Sequence, residues 1–198
     1  EPFDFNLDCA TSIVQRGRIE YYSRIGKDTP AGMVIGRDWQ PQTDSVKILK
    51  DLNTGGAALA PLGGIGEELA GYKGYGYAAA VEILSAAFTG GPFMKALSGI
   101  GKSGEKIPFH LGHFFFAIDT GHFMGEVTFR KTAGDICRAL RASAKAPGCD
   151  RIYTAGEKEF DCRIARKNGV PINDAVQKEL VAVRDELGHV AEHVVDAM

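Results

Sequence analysis

The feature that most constrains how this chain can fold is a concentration of glycine in its middle. The 198 residues include 25 glycines, many of them between Gly55 and Gly104. Glycine adopts backbone conformations that other residues avoid, and it lets another segment approach closely. Residues 71–76, GYKGYG, place one lysine among three glycines directly before an alanine-rich apolar run. We therefore predict a glycine-rich loop over residues 55–76 that leads into a helix beginning at Tyr77.

The end of this loop has the residues that an anion site requires. Lys73 would lie immediately before the helix N-terminus, where free backbone N–H groups and the helix dipole favour negative charge. Gly71, Gly74 and Gly76 would let the backbone approach a phosphate closely. Tyr72 could stack on a ring or belong to the core. The alternative is a flexible loop with a solvated lysine, and the local pattern does not decide between these two interpretations.

The spacing of apolar residues predicts a chain in which strands and helices are mixed. Strands are predicted at residues 3–8, 106–119 and 150–156, and helices at 12–25, 77–88, 125–143, 157–169 and 173–187. Ser12 and Gln15 fit a capping box for the first helix, with Gly26 as its stop. The last helix is expected to be capped by Asn173 and stopped by Gly188. Residues 46–53 fit either a helix or a strand, and residues 27–44 are expected to be irregular.

This order of elements indicates an α/β chain of the α+β type, in which a mixed β-sheet packs against helices. No repeat or linker interrupts it, so residues 1–198 are expected to form a single domain. The carboxyl ends of strands are where ligands commonly bind in such folds. The predicted strand-to-helix turns are therefore the first places to look for a site.

Two further turns carry polar residues. Residues 8–12, DCATS, bring the hydroxyls of Thr11 and Ser12 to a predicted helix start, although a simple N-cap is the alternative. Residues 155–159, AGEKE, place Glu157 where it could interact with the helix dipole or accept hydrogen bonds from ribose hydroxyls. Together with the Lys73 turn, they describe a site for one extended polar ligand with an anionic middle, as in a dinucleotide.

Composition and charge exclude several other classes. A net charge of −2 argues against nucleic acid as a partner. No apolar run approaches the roughly 20 residues needed to cross a bilayer, and no segment has the pattern of a signal peptide. The four cysteines contain no C-x-x-C pair and are expected to be reduced. We expect a cytoplasmic protein with no membrane or nucleic-acid partner.

Motifs for other chemistries fail on their context. Gly99, Gly101 and Gly104 match G-x-G-x-x-G, but no predicted strand precedes them and no apolar helix follows. His110 and His113 point to opposite faces if they lie on a strand, so they are not expected to bind one metal ion together. His189 and His193, with the spacing i, i+4, have no evident third ligand. No metal site is predicted.

Five segments, taken in order, resemble the type 2 malate/L-lactate dehydrogenases. They are LDCATSIVQRGRIEYYSRIGKDTPAGMVIG, APLGG, GYKGYGYAAAVEILS, GHFFFAID and RIYTAGEKE. The family comprises NAD(P)-dependent 2-hydroxy-acid dehydrogenases, including sulfolactate, ureidoglycolate and diketogulonate enzymes. The resemblance implies an NAD(P)-binding domain that is not a Rossmann fold, and a homodimer. It also implies that the cofactor contacts Asp8, Cys9, Ala10, Thr11, Ser12, Ile13, Val14, Tyr72, Lys73, Gly156, Glu157 and Lys158.

The same resemblance implies a reaction. Hydride would pass between NAD, or alternatively NADP, and a small 2-hydroxy or 2-oxo acid, with malate or L-lactate the expected substrate. Many members have histidine where this chain has Tyr72. The family's proton-transfer histidine and substrate-binding arginine lie in an amino-terminal region that this sequence does not contain. We therefore assign no catalytic residue and expect residues 1–198 to be the cofactor-binding portion of a longer enzyme.

Two alternatives to an active dehydrogenase stay open. The chain as given could bind NAD(P) without performing chemistry. A metal-dependent hydrolase that uses His110, His113 and His122 is the second alternative, and it requires a stoichiometric metal ion.

Overall fold

The computed structural model describes residues 2–188 of the chain. The helices are α1 Arg16–Arg24, α2 Ser45–Thr54, α3 Gly71–Glu82, α4 Glu126–Arg141, α5 Glu157–Ala165 and α6 Asp174–Leu187. The strands are β1 Val34–Gly36 and β2 Ala57–Leu59, and short helical turns of other types occupy Ile83–Ala87, Met94–Leu97 and Thr120–His122. Within the described part, no helix is both long and apolar enough to cross a membrane.

Contacts divide the chain into two compact units. The first unit contains Glu1–Asp8 and Thr132–Met198, and the second contains Cys9–Lys131. Each unit is described separately below, and the single domain expected from the sequence stays a prediction.

The second unit is built around a small apolar core. β1 and β2 pair antiparallel, with Val34 opposite Leu59 and Gly36 opposite Ala57. α1 packs against α2 and α2 packs against β2, and each helix contributes an isoleucine to the core. The core residues are Val14, Ile19, Val34 and Ile48, and they pack against Met33, Leu49, Leu52, Ala57 and Leu59.

Residues 46–53 form a helix, because both ends of α2 are well capped. The Asp44 carboxylate accepts a hydrogen bond from the Lys47 N–H at 2.9 Å, and Gly55 ends the helix with a φ of +71°. The two strands lie where irregular structure and a loop were predicted, so those two predictions were wrong. Short strands of three residues carry too few alternating positions to show a period of two.

The predicted loop over residues 55–76 was also wrong at its end, because α3 begins at Gly71 rather than after Gly76. Gly71 and Gly74 are buried in the first turns of this helix. A Cβ atom at Gly74 would lie 2.5 Å from the Leu62 backbone nitrogen and 2.8 Å from its carbonyl carbon. Glycine is therefore required at position 74 for close packing of the helix against the backbone of Leu62.

The three strands predicted at residues 3–8, 106–119 and 150–156 are not formed. Residues 3–8 and 150–156 are joined by one backbone hydrogen bond, from the Asn6 N–H to the Ala155 carbonyl at 3.2 Å. A single bond is not a ladder, and alternation of side chains cannot create the neighbouring strand that a ladder requires. The sheet of the described residues has two strands, so the combination of helices with a sheet was predicted but not its extent.

The first unit contains α5 and α6. α5 begins at Glu157 as predicted but ends at Ala165 rather than at residue 169, whereas the limits of α6 agree with the prediction. The side chain of Asn173 accepts a hydrogen bond from the Val176 N–H at 3.0 Å, and Gly188 follows α6 with a φ of +65°. The cap and the stop that were predicted for α6 are both confirmed. His189 and His193 lie outside the described residues.

Two glycines of α3 provide a test of this packing. Replacing Gly74 with alanine should lower the free energy of unfolding by about 1–3 kcal/mol, because the methyl group would overlap the Leu62 backbone. A Cβ at Gly76 would meet no atom within 4 Å, so Gly76→Ala should be neutral or stabilise the helix by up to about 1 kcal/mol. Urea denaturation of both variants measures the difference. Equal effects would contradict the packing role of Gly74.

Candidate functional site

The segment that includes Thr11, Ser12 and Ile13 is extended and pairs with the segment after β2. The Ile13 N–H donates to the Ala60 carbonyl at 2.9 Å, and the Leu62 N–H donates to the Thr11 carbonyl at 3.0 Å. Ser12 and Pro61 form the antiparallel bridge between these bonds. The backbone of this segment is therefore held by the second unit's sheet region rather than by a helix.

This pairing overturns the capping box predicted at Ser12 and Gln15. α1 begins at Arg16, and Gln15 precedes it without a side-chain cap. The Ser12 hydroxyl donates to the Val14 carbonyl at 2.8 Å instead of accepting from a helix N–H. Because Thr11 and Ile13 already use their backbone groups in pairing with residues 60–62, the helix cannot start until the chain has passed them.

The surroundings of residues 8–14 differ along the segment. Asp8 belongs to the first unit and is exposed, and Cys9 is exposed in the second unit. Ala10, Thr11 and Ser12 are half-buried, Ile13 is partly exposed and Val14 belongs to the core. The hydroxyl-bearing residues thus lie at the surface of a backbone that the core holds in place.

Lys73 lies inside the first turn of α3 rather than before it, which corrects its predicted position. Its side chain is exposed, and its Nζ lies 5.9 Å from the centre of the Tyr72 ring, which is itself 60% exposed. The helix dipole acts over the first turn, while the N–H groups of Gly71 and Lys73 already donate to the Gly66 and Ala70 carbonyls at 3.1 and 3.0 Å. Lys73 therefore keeps the electrostatic setting that favours an anion.

Segment 60–62 links the two candidate contact regions of the second unit. On one side it pairs with Thr11 and Ile13, and on the other Leu62 receives the close approach of Gly74. The extended segment and the first turns of the Lys73 helix are thereby brought to the same piece of backbone. The sequence predicted both regions but gave no sign of residues 60–62 as their common support.

The third candidate region, Gly156 to Lys158, lies in the first unit at the start of α5. Gly156 has a φ of +92°, and a Cβ atom there would lie 2.7 Å from the Asp4 carbonyl oxygen. This position therefore requires glycine both for its conformation and for its contact with residues 4–6. Lys158 is exposed, with its Nζ 4.9 Å from the centre of the Tyr153 ring.

Glu157 is the most unusual residue of this turn, because its carboxylate is buried with only 1% of the residue exposed. One oxygen accepts a hydrogen bond from Arg151. The other accepts from the Thr154 N–H at 3.1 Å and the Thr154 hydroxyl at 3.2 Å, with Arg141 Nη1 at 3.8 Å. A buried charge must be compensated in this way to be tolerated.

The pKa of Glu157 reflects opposing effects. Burial disfavours the charged form and raises the pKa, whereas the hydrogen bond from the Thr154 backbone and the interactions with Arg151 lower it. The lowering effects dominate, so the pKa of Glu157 lies below its ordinary value and the side chain is ionised at neutral pH.

The sequence left two roles open for Glu157, an interaction with the helix dipole or hydrogen bonds to ribose hydroxyls, and its contacts bear on both. Both of its oxygens already accept hydrogen bonds, so the carboxylate holds the turn before α5 in shape. The chemistry that the turn can offer to a ligand comes from its backbone and from Lys158. Sequence reasoning missed Arg141, Arg151 and Thr154, although Thr154 and Glu157 have the T-x-x-E spacing of a capping box.

The histidines considered for a metal do not form a site within residues 2–188. No group of three or more histidine, cysteine, aspartate or glutamate side chains is placed there to hold an ion. His122 lies 3.3 Å from the Asp119 carboxylate, and His113 stacks on Phe115. His113 and His122 therefore each have a local contact that does not involve another histidine.

Comparison with known protein families gives a match over nearly the whole chain. The family described as malate/L-lactate dehydrogenase matches residues 1–181. Malate dehydrogenase from Pyrococcus horikoshii is 37% identical over 185 residues, which cover 93% of this chain and 49% of that protein. A Δ1-pyrroline-2-carboxylate/Δ1-piperideine-2-carboxylate reductase from Pseudomonas putida is 32% identical and covers 92% of this chain and 47% of its own length.

The fold is shared with a solved relative. The crystal structure of malate dehydrogenase from Entamoeba histolytica aligns with a TM-score of 0.83 at 36% identity, covering 92% of this chain and 50% of that one. The likeness supports an α/β dehydrogenase fold, while the non-Rossmann character of the cofactor domain stays a prediction. The chain spans about half the length of these relatives.

The buried carboxylate predicts how stability depends on pH. Because the folded-state pKa of Glu157 is lowered, its contribution is fully present above the pKa of an unfolded glutamate, about 4.3, and is lost as the pH falls through the folded-state value. Glu157→Gln should therefore be less stable than the wild type at pH 7. The difference in stability between the two proteins should disappear in acid. Thermal denaturation from pH 7 to pH 3 measures this difference.

Glu159→Gln is the matched control, since Glu159 is exposed in the same helix turn. The control should follow the wild-type curve. A Glu157→Gln curve that runs parallel to the wild type at all pH values would contradict the role of the charge.

Proposed function

Because the chain belongs to the malate/L-lactate dehydrogenase family, we propose that it is the cofactor-binding portion of an NAD(P)-dependent 2-hydroxy-acid dehydrogenase. The observation that carries the proposal is the family match over residues 1–181, which includes all three candidate contact regions. The enzyme would oxidise a small 2-hydroxy acid or reduce the corresponding 2-oxo acid. Malate is the first substrate to test, followed by L-lactate.

The residues present suit a nicotinamide dinucleotide. Lys73 offers an ammonium group in the first turn of a helix, which is the setting that favours a pyrophosphate. Tyr72 is exposed beside it and can stack on a ring. When bound, the nicotinamide accepts or donates the hydride.

In this proposal each region has its own task. Residues 8–14 hold the cofactor with backbone groups and with the hydroxyls of Thr11 and Ser12. Lys73 neutralises phosphate charge, and the turn from Gly156 to Lys158 contacts a sugar or a base. Val14 and segment 60–62 support the first two regions, while Glu157 keeps the third in shape.

The substrate proposal is guided by what the relatives' names share. Malate is a 2-hydroxy acid, and Δ1-pyrroline-2-carboxylate is a cyclic imine, so both carry a carboxylate on the carbon that exchanges hydride. Turnover assays with malate, L-lactate and Δ1-pyrroline-2-carboxylate would separate these candidates. Cofactor binding without turnover of any of them would favour the alternative of a non-catalytic NAD(P)-binding module for the chain as given.

We also propose that the protein acts as a cytoplasmic homodimer. Several large apolar side chains of the second unit are exposed, including Phe115 at 87% and Phe116 at 75%. Apolar surface of this kind is commonly covered in an assembled protein. Sedimentation analysis of the purified chain would measure its oligomeric state, and a monomer at all concentrations would contradict the dimer.

Replacing Lys73 tests the cofactor assignment most directly. A lysine in contact with phosphate is worth about 1.5–3 kcal/mol, so Lys73→Ala should raise the Kd for NADH roughly tenfold to a hundredfold. Lys50→Ala, which removes an exposed lysine of α2 in the same unit, is the control and should leave the Kd unchanged. Calorimetric titration measures both values. Unchanged affinity in Lys73→Ala would refute the phosphate role.

A further inference from the structure

A cavity of about 470 Å³ lies beside the Glu157 turn, within the first unit. The side chains that give it charge are Arg141, Lys145, Asp150, Arg151 and Glu157, and Phe3 forms part of its apolar wall. Because Glu157 lines the cavity and also belongs to the turn proposed to contact the cofactor, a group that extends from a bound sugar at this turn could enter the cavity.

The two arginines of the cavity are held in place before any ligand arrives. Arg151 is bonded to Glu157 and lies 3.0 Å from the Asp161 carboxylate. Arg141 donates to the Thr154 hydroxyl at 2.9 Å, and its guanidinium carbon lies 5.5 Å from the centre of the Phe3 ring. Guanidinium groups that are already oriented lose little side-chain entropy when an oxyanion binds.

The charge that the cavity can offer to an anion is that of Lys145. Three cationic side chains line the cavity against two carboxylates, but Arg151 also pairs with Asp161, so Glu157 and Asp161 together offset the two arginines. Lys145 is exposed and forms no ion pair with any residue of 2–188, so its charge is available to a ligand. Asp150 is the one exposed carboxylate of the lining and opposes this field.

We propose that this cavity binds a phosphate monoester, and that in the proposed enzyme this group is the 2′-phosphate of NADP. The inference rests on the proposed function, because the cofactor's sugar must lie at the Glu157 turn. Lys145 is then a specificity-determining residue, with Arg141 and Arg151 as fixed donors behind it. Asp150 reduces the preference for NADPH over NADH, because its carboxylate repels the same phosphate.

The test is calorimetric titration of the full 198-residue chain with NADPH and with NADH. The wild type should bind NADPH more tightly. Lys145→Gln should raise the Kd for NADPH about tenfold and leave the Kd for NADH unchanged, because only NADPH carries the extra phosphate. Asp150→Asn should shift the NADPH affinity in the opposite direction. Lys167→Gln, an exposed lysine outside the cavity, is the matched control.

The outcomes separate the two proposals. Binding of both cofactors with a ratio that Lys145→Gln does not change would overturn the 2′-phosphate site and leave the dehydrogenase proposal standing. Binding of neither by a chain shown to be folded by circular dichroism would reject the cofactor proposal as well. Inorganic phosphate and 2′-AMP are titrated in parallel. Phosphate binding that depends on Lys145, without any preference for NADPH, would assign the cavity to a free phosphorylated ligand.

Discussion

The close contact between α3 and the Leu62 backbone is the constraint on which the arrangement of the second unit's candidate site depends. A side chain at position 74 would push the helix away from segment 60–62, and the same segment pairs with Thr11 and Ile13. The two regions proposed to hold the cofactor therefore share one support. Because position 74 is glycine, the helix that carries Lys73 can lie this close to segment 60–62.

The first unit depends on a different interaction, the compensation of a buried carboxylate. Glu157 accepts hydrogen bonds from the Arg151 and Thr154 side chains and from the Thr154 backbone, and Arg141 lies 3.8 Å from its carboxylate. Such a network is costly to leave half complete, because an unpaired buried charge loses its hydration without compensation. The turn at Gly156 consequently has one defined shape, and that shape decides which of its groups a ligand can reach.

Sequence reasoning found most of the helices but misplaced the starts of α1 and α3, and it predicted the sheet poorly. The spacing of Ala133, Ile136 and Leu140 and the caps at Asn173 and Gly188 are local signals, so α4 and α6 were found. Strands require partners that are distant in sequence. Residues 3–8 alternate and residues 106–119 form an apolar run, but neither segment acquires a ladder. At the candidate site, the residue types were predicted, but the supports were not: Leu62 and Arg151 act through contacts that leave no periodic pattern.

The two glycines at positions 74 and 76 also bear on how the GYKGYG motif should be interpreted in other sequences. They look equivalent in the motif, yet one lies against a backbone and the other has open space beside it. An alanine at position 76 in a homologue would therefore say nothing about cofactor use. At position 74, a larger residue would signal a displaced helix, even in a protein that kept its lysine. A glycine shared by two sequences can thus be required by the packing of the protein's interior rather than by the ligand that the protein binds.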